Sequence, residues 1–204
     1  MKKIIKSYLE KEDFYFKDKV IDKFEKFLSE LEKWNKKINL VSYKSKDELI
    51  KRHLLDSLYF IHPINHLNLK PKLIFDVGSG AGFPGIPLSI VLDSINFFLV
   101  EIRKKRALFL EHIKRLLSLH NVCIKNSDIR LVKENPDIIV CRAFGPLDKI
   151  ETLLSSFLEK GAKVIISRGK NLSDLENLKK CNYEIFSYQP NEDFKRNFIL
   201  LYRG

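Results

Sequence analysis

The run LIFDVGSGAGFPGIPLSIV, residues 73–91, joins a short apolar segment to a glycine-rich turn and then to a helix-like segment. Four of the eight glycines in the chain lie in this turn, at positions 78, 80, 82 and 85. Glycine is favoured where the backbone takes positive φ and where a ligand approaches backbone amides without meeting a Cβ atom. In open parallel sheets, ligands bind at the carboxyl ends of strands where the strand order reverses. The stretch therefore predicts the first strand of such a sheet, followed by a loop that holds an elongated small molecule.

Downstream of this loop, short β-branched or aromatic runs alternate with helical stretches, one of which is residues 173–181. The runs are LIFDV, INFFLV, VCIK, DIIVCRAF, AKVIIS, YEIFSY and FILLY. Strands that alternate with helices predict an α/β, Rossmann-like fold with a mostly parallel seven-stranded sheet covered on both faces. Residues 183–188 and 198–202 are separated by a turn-prone segment, so we expect a hairpin whose last strand runs antiparallel at one end of the sheet.

The first seventy residues have helical periodicity instead. Apolar residues recur at three- and four-residue steps over residues 18–41, which predicts a long amphipathic helix. Ser45 and Glu48 form a capping-box pattern ahead of a second predicted helix, residues 47–61, which we expect to end before Pro63. The N-terminal part is therefore expected to be helical.

Length and composition predict one compact unit. The chain has 204 residues, of which 45% are apolar, enough to bury a sizeable core. We expect an N-terminal helical extension, residues 1–70, packed on an α/β domain, residues 71–204. Because no apolar run approaches the roughly 18 residues of a membrane span, and charge interrupts the N-terminus, we expect a soluble, cytoplasmic protein with no membrane partner. We also expect a monomer.

Charge does not decide the binding partner, and the cysteines and histidines give no sign of a metal site. Lys and Arg number 37 against 26 Asp and Glu, a formal excess of +11. This excess favours a polyanionic partner such as nucleic acid or an anionic membrane surface, and equally describes a lysine-rich solvated surface. The three cysteines are widely spaced, as reduced core thiols are. His62 and His66 are separated by Pro63, which argues against a helical pair of ligands, so no metal site is expected.

Two classes of cofactor compete for the glycine loop. Gly80, Gly82 and Gly85 satisfy the dinucleotide spacing G-x-G-x-x-G, which alone is weak evidence. Asp76, however, lies two residues before Gly78. A carboxylate at the mouth of the loop would repel the pyrophosphate of a dinucleotide, whereas it would attract the ammonium and sulfonium groups of S-adenosylmethionine. Asp76 therefore favours S-adenosylmethionine.

Two further acids follow the next strands of the predicted sheet. Glu101 ends the second strand, where a carboxylate can accept hydrogen bonds from both hydroxyls of a ribose. Ser127 and Asp128 follow the third strand, where a carboxylate could accept the exocyclic amine of adenine. The alternative is local: Asp128 would cap a turn, and Glu101 would cap the helix that starts near Arg103. Their joint position at successive strand ends favours a binding site.

Several longer motifs resemble one family. The motifs are WNKKINLVS (34–42), RHLLDSL (52–58), FDVGSGAGFPGIPLSIV (75–91), RKKRALFLEHI (103–113) and CRAF (141–144). Together they resemble the RsmG family, also called GidB, whose members methylate N7 of a guanine in small-subunit ribosomal RNA. The extension Gly-Phe-Pro-Gly-Ile-Pro is much more specific than a generic glycine fingerprint.

The resemblance implies a class I S-adenosylmethionine-dependent methyltransferase fold. It implies 16S ribosomal RNA, free or in a precursor of the small ribosomal subunit, as the substrate. It also implies cofactor contacts from Gly78, Phe83, Ser127, Asp128 and Arg142. Combined with the acids and the loop, the candidate cofactor site comprises Asp76, Gly78, Gly80, Gly82, Phe83, Glu101, Ser127, Asp128 and Arg142. Where family members have a Lys-Gly pair after the fifth strand, this chain has Arg168-Gly169, and the two cations differ in shape.

The implied chemistry needs no acid or base. Guanine N7 has a lone pair and no proton, so catalysis rests on holding the reactants in line. We assign Arg142 a positioning role through guanine O6 or the cofactor carboxylate, the alternative being a structural arginine at a strand end. Phe83 and Phe144 are candidates to stack the target base, although each is equally a packed apolar residue.

Basic groups provide candidate phosphate contacts. They lie at residues 103–106, Lys36-Lys37 and Lys51-Arg52, and each is equally a solvated helix face. On the predicted N-terminal helices, His53 and Asp56 are three residues apart and Asn35 and Asn39 are four apart. These pairs could dock the extension beside the cofactor or simply pack it on the domain.

Two alternative functions come from other classes. The embedded G-x-G-x-x-G supports an NAD(P)-dependent oxidoreductase. A non-catalytic RNA-binding protein that has kept a methyltransferase fold is the second, and the intact loop and acids argue against it.

Overall fold

The computed structural model describes residues 1–142, 145–169, 172–191 and 194–203. Within these ranges the α-helices are α1 (Lys2–Lys11), α2 (Asp18–Ile38), α3 (Lys46–Leu49), α4 (Asp56–Leu58), α5 (Ile61–His66), α6 (Gly85–Val91), α7 (Lys104–Leu116) and α8 (Leu147–Glu159). The strands are β1 (Leu73–Val77), β2 (Asn96–Val100), β3 (Val122–Lys125), β4 (Ile138–Arg142), β5 (Lys163–Arg168), β6 (Asn182–Asn191) and β7 (Phe194–Tyr202). Among the described residues, no helix is long and apolar enough to cross a bilayer.

The seven strands form one sheet in the order β3-β2-β1-β4-β5-β7-β6. The first five are parallel, and β7 runs antiparallel between β5 and the edge strand β6. The predicted α/β sheet is confirmed, with the antiparallel strand one position in from the edge. Strand order reverses between β1 and β4, so the loop after β1 lies at the switch point where open sheets bind ligands.

Hydrophobic side chains cover both faces of the sheet. Ile74 of β1 belongs to a core that includes the N-terminal helices, α6 and α7. Phe75 and Val77 belong to a second core that includes α8. This alternation is the period of two expected of a strand buried on both faces. The N-terminal extension therefore packs on the same core as one face of the sheet.

Polar contacts shape the turn between α2 and α3. At the predicted capping box, Ser45 Oγ accepts the N–H of Glu48 at 3.1 Å, whereas the Glu48 carboxylate accepts the N–H of Lys44 at 2.6 Å rather than that of Ser45. Asn35, near the end of α2, accepts the N–H groups of Leu40 and Val41 at 2.6 and 2.9 Å. Its side chain therefore fixes the path of the chain as it leaves the helix.

The second N-terminal helix differs from the prediction. Instead of one helix over residues 47–61, the chain forms α3, a π-helical segment at Ile50–Leu55 and α4. This helical stretch ends at Leu58, before Pro63 as predicted, but a separate helix that was not predicted, α5, begins at Ile61 and includes this proline. Proline is tolerated there because the N–H groups in the first turn of a helix have no intrahelical acceptor.

The helix predicted at residues 173–181 is also wrong. Only a short 3₁₀ turn forms, at Ser173–Asn177. Beyond it, the carboxylate of Glu151 on α8 accepts the backbone N–H groups of Lys179, Lys180 and Cys181 at 3.2, 2.6 and 2.9 Å. These donors are therefore satisfied by a side chain from another element rather than by a helix of their own.

The loop after β1 depends on glycine at two positions where a side chain would collide. Gly82 has φ of +88°, and a Cβ there would lie 2.7 Å from Cγ1 of Ile86 and 3.2 Å from Cδ2 of Leu110. At Gly85 a Cβ would lie 2.5 Å from Oδ2 of Asp76. Gly82 therefore lets the loop pack against α6 and α7, and Gly85 lets the start of α6 pack against Asp76 of β1.

Replacing Gly82 with alanine is expected to destabilise the protein more than the same change at Gly161. Gly161 has nearly the same φ, +91°, but no heavy atom lies within 4 Å of its Cβ position. Backbone strain of about 1 kcal/mol is therefore common to both variants, and Gly82→Ala adds overpacking of about 1–3 kcal/mol. Urea denaturation measures the difference, and equal losses of unfolding free energy would contradict the contact at Gly82.

Candidate functional site

A cavity of about 310 Å³ opens at the carboxyl ends of β1, β2 and β4. We call it the strand-end cavity. Its lining includes five of the nine predicted site residues: Gly78, Glu101, Ser127, Asp128 and Arg142. These residues come from separate parts of the chain, and the parallel register of the strands brings them to one edge of the sheet. The sequence therefore predicted the location of the cavity and five of the twelve residues that line it.

Glu101 connects the glycine loop to α7. Its side chain is 4% exposed, and its Oε2 accepts the N–H of Gly80 at 2.9 Å. Its Oε1 accepts the N–H of Arg103, which precedes α7, at 2.8 Å. A carboxylate oxygen has two lone pairs, so each oxygen retains the capacity to accept a hydroxyl. Glu101 therefore both bonds the N–H of Arg103 at the start of α7, as a capping residue would, and lines the strand-end cavity.

Asp128 likewise both caps a local turn and lines the strand-end cavity. Its Oδ1 accepts the N–H of Arg130 at 2.9 Å, and its two oxygens pair with the Arg130 guanidinium at 2.9 and 2.6 Å. These hydrogen bonds lower the pKa of the Asp128 carboxyl to about 2. The group caps a 3₁₀ turn and lines the strand-end cavity as an anion at neutral pH.

Asp76 lies elsewhere than the sequence indicated. Its side chain is 1% exposed, and Oδ2 accepts the N–H of Gly85 at 3.0 Å beneath the loop. Burial raises the pKa of this carboxyl to about 7, despite the hydrogen bond from Gly85. It is not among the residues that line the strand-end cavity. The structure therefore places Asp76 beneath the loop rather than at its mouth.

Phe83, Gly80 and Gly82 belong to the glycine loop but do not line the strand-end cavity. The Phe83 ring is 5% exposed and packs 5.1 Å from Phe27 and 5.3 Å from His53, between ring centroids. Phe27 and His53 both belong to the N-terminal extension, so Phe83 packs the loop against the extension. The other aromatic candidate, Phe144, lies outside the described residues.

Arg142 joins the sheet to the N-terminal extension. Its guanidinium donates to the carbonyl of Arg52 and to Nδ1 of His53, both at 2.8 Å, and lies 5.3 Å from the centroid of the Phe83 ring. Because arginine has only donors, Nδ1 of His53 must be an acceptor, and its Nε2 then donates to the carbonyl of Ser42 at 3.3 Å. Burial and the charge of Arg142 lower the pKa of His53 to about 4. His53 is therefore a neutral acceptor that fixes Arg142.

A second cavity, of about 550 Å³, lies on the other side of Arg142. We call it the arginine cavity. Its lining comprises Ser42, Arg52, His53, Asp56, Arg142, Ser167, Arg168, Gly169 and Arg196. Asp56 is 8% exposed and forms an ion pair with Arg196 of β7. The three-residue spacing of His53 and Asp56 indicated from the sequence that both could form polar contacts. Arg196 was not among the candidate site residues, because it lies in a segment predicted to be a turn.

The remaining candidate residues are dispersed. Arg103 and Arg106 of the basic group at 103–106 line the strand-end cavity, whereas Lys36 lines a separate one. Cys141 is fully buried, and burial raises the pKa of its thiol. Arg168 donates to the carbonyl of Gly145 at 2.7 Å and pairs with Asp174 at 2.9 Å. Its guanidinium is therefore held by two acceptors at the rim of the arginine cavity.

Comparison with known proteins identifies the family. The sequence profile of the GidB family, described as "rRNA small subunit methyltransferase G", matches residues 20–195. The chain belongs to this family. A relative from Francisella tularensis subsp. tularensis, named "Ribosomal RNA small subunit methyltransferase G", is 33% identical over 204 residues, or 98% of this chain and 97% of its own length. A relative of the same name from Aquifex aeolicus is 34% identical over 198 residues, or 92% of this chain and 95% of its own length.

Solved structures share the fold of this GidB family member at low identity. The magnesium protoporphyrin IX methyltransferase of Synechocystis, crystallised with bound S-adenosylmethionine, is 13% identical, with a TM-score of 0.59 over 93% of this chain and 99% of its own. A precorrin-6y C5,15-methyltransferase from Geobacter metallireducens is 12% identical, with a TM-score of 0.54 over 82% and 96% of the two chains. The predicted class I methyltransferase fold is confirmed.

Replacing Asp76 with asparagine tests the burial of this carboxyl. Its pKa is raised from 3.8 to about 7, so between these values the folded state binds more protons than the unfolded state. Wild-type stability therefore loses a contribution as the pH rises through this range. Asparagine keeps an acceptor for Gly85 but does not titrate. We expect the unfolding free energy of Asp76→Asn, relative to wild type, to increase from pH 5 to pH 8 in urea denaturation.

Asp128→Asn is the matched control for this experiment. Because the pKa of Asp128 is lowered to about 2, this carboxyl is ionised in the folded state throughout the range from pH 5 to pH 8. Its replacement should shift the unfolding free energy by a nearly constant amount over that range. Parallel profiles for wild type and Asp76→Asn would contradict a titrating carboxyl beneath the loop.

Proposed function

We propose that this chain transfers a methyl group from S-adenosylmethionine to N7 of a guanine in 16S ribosomal RNA. The observation that carries the proposal is the family match over residues 20–195, combined with a cavity at the switch point of a methyltransferase sheet. The relatives that span nearly the whole chain are named for methylation of small-subunit ribosomal RNA. The formal charge of +11 suits a polyanionic substrate.

The residues of the strand-end cavity fit this cofactor. Glu101 offers carboxylate oxygens to the two ribose hydroxyls, and Ser127 and Asp128 offer acceptors to the adenine amine. Gly78 has φ of +77° and exposes backbone without a side chain. Arg142 lines this cavity as well and places a positive charge at its border with the arginine cavity. We assign Asp76, Gly80, Gly82 and Phe83 to the support of the loop rather than to direct contact.

The reaction requires position more than proton transfer. The cofactor supplies a methyl group on a positively charged sulfur. When the N7 lone pair forms the new N–C bond, the C–S bond breaks and its electron pair stays on sulfur, leaving neutral S-adenosylhomocysteine and a cationic 7-methylguanine. No proton moves in this step, so this chain has to align the base with the methyl group and exclude water. Arg142, at the junction of the two cavities, is placed to do so.

The sequence also allowed a redox enzyme, and no observation favours it. The family is defined by methyl transfer, and its named relatives are methyltransferases. The proposed RNA substrate agrees with the cytoplasmic location expected from the sequence. The monomer expected from the sequence is part of this proposal.

Glu101→Gln is expected to weaken binding of S-adenosylmethionine by about tenfold or more, because charge-assisted hydrogen bonds to the ribose are lost. Isothermal titration measures the dissociation constant, and circular dichroism checks the fold. Glu134→Gln is the matched control, since Glu134 pairs with Lys125 on the surface outside the strand-end cavity. Unchanged affinity in a folded Glu101→Gln variant would contradict the assignment of this residue to the cofactor.

Methylation itself is tested with labelled S-adenosylmethionine. We expect the label to enter small-subunit RNA when the purified chain is incubated with free RNA or with small ribosomal subunits. Chemical cleavage specific for 7-methylguanosine should then cut the RNA at one guanine. Label in protein alone, in another base, or in no product would overturn the proposed function.

A further inference from the structure

The arginine cavity adjoins the strand-end cavity, and Arg142 lines both. Since methyl transfer requires its reactants in near contact, the acceptor base must enter a space that opens onto the cofactor. The arginine cavity lies at the ends of β4 and β5, and its volume of about 550 Å³ falls within the usual size of small-molecule sites. Another cavity shares Leu153 with the strand-end cavity, but it is built mainly from side chains of α8 rather than from strand ends.

Three of the four arginines that line the arginine cavity form ion pairs with carboxylates. The pairs are Arg52 with Glu48, Arg168 with Asp174 and Arg196 with Asp56. In the part of the chain that the structure describes, Arg142 has no carboxylate within ion-pair distance and donates instead to a carbonyl and a neutral imidazole. Its positive charge is therefore available to an electron-rich group where the two cavities meet.

Guanine has an acceptor edge and a donor edge that match this arrangement. Its N7 and O6 are acceptors on one edge, so a base with N7 toward the cofactor also brings O6 to the junction where Arg142 lies. Its N1–H and N2–H₂ donors then point away from the cofactor and into the arginine cavity. Asp56 is the carboxylate that lines this cavity, and its ion pair with Arg196 fixes its orientation.

We propose that the arginine cavity receives the target guanine, with Arg142 at O6 and the Asp56 carboxylate accepting N1–H and N2–H₂. This inference rests on the proposed function and names the residue that selects guanine. Adenine has an acceptor at N1 and no 2-amino group, so its edge would place a lone pair against the Asp56 carboxylate and supply neither N–H donor. Arg52, at the rim, has a side chain 74% exposed and is available to a phosphate of the flanking RNA.

Inosine provides the direct test, because it keeps N7, O6 and N1–H but lacks the 2-amino group. Once the methylated guanine has been mapped, small-subunit RNA is prepared with inosine at that position. We expect kcat/KM of the wild-type protein to be about tenfold lower, or more, for inosine RNA than for guanosine RNA. Equal kcat/KM values for the two RNAs would overturn the inference.

The variant Asp56→Asn tests whether this residue is the source of the discrimination. We expect it to lose activity on guanosine RNA and to reduce the guanosine-to-inosine ratio of kcat/KM to near one. Asp174→Asn is the matched control: Asp174 also pairs with an arginine of the cavity but does not line it, so the ratio should be retained. A folded Asp56→Asn variant that keeps the wild-type ratio would overturn the role of Asp56.

The outcomes separate this inference from the function on which it rests. If the wild-type protein methylates no guanine in the RNA, the proposed function fails. If it methylates guanosine and inosine RNA equally well, the proposed function stands and the pocket assignment fails. Binding of S-adenosylmethionine by Asp56→Asn, measured by isothermal titration, checks that the strand-end cavity is intact. If that variant does not fold, the inosine measurement on the wild-type protein still decides the question.

Discussion

The two cavities depend on the placement of one guanidinium. Arg142 is the last residue of β4, at the carboxyl ends of the parallel strands, where it is partly buried. A charged group withdrawn from water needs acceptors for its hydrogen-bond donors. Those acceptors, the carbonyl of Arg52 and the imidazole of His53, both belong to the π-helical segment of the extension. The Phe83 ring of the glycine loop lies against the same guanidinium. The sheet, the loop and the extension therefore meet at one side chain, and the extension is part of the site rather than an appendage.

Sequence reasoning located the strand-end cavity because its signals are local. The apolar run before Gly78 predicts β1, and an acid directly after a strand, such as Glu101, must lie at the same edge of a parallel sheet. The burial of Asp76 could not be predicted in the same way. Its side chain alternates with Phe75 and Val77 and turns beneath the loop, where it bonds the N–H of Gly85. A charge argument based on spacing alone does not include that desolvation.

The N-terminal errors have a related cause. The apolar spacing of residues 47–61 is helical, but it does not distinguish an α-helix from a π-helical turn, which is favoured here by tertiary contacts of its own residues. Arg52 and His53 contact Arg142, some ninety positions along the chain. Arg196 of β7 likewise pairs with Asp56, 140 positions away along the chain. The arginine cavity is assembled from such distant pairs, which explains why single-sequence reasoning located only part of it.

Capping and ligand binding are not exclusive explanations for the acids at the strand ends. Glu101 bonds two backbone N–H groups and Asp128 caps a turn, and both line the strand-end cavity. These local bonds hold each carboxylate in one orientation before any ligand arrives, which reduces the ordering that binding requires. Two titratable groups nearby are unsuited to proton transfer at neutral pH: His53 has a pKa of about 4, and burial raises the pKa of the Cys141 thiol. Asp76 is buried beneath the loop and lines neither cavity. A site of this kind favours a reaction that needs alignment and no proton transfer, as attack by guanine N7 does.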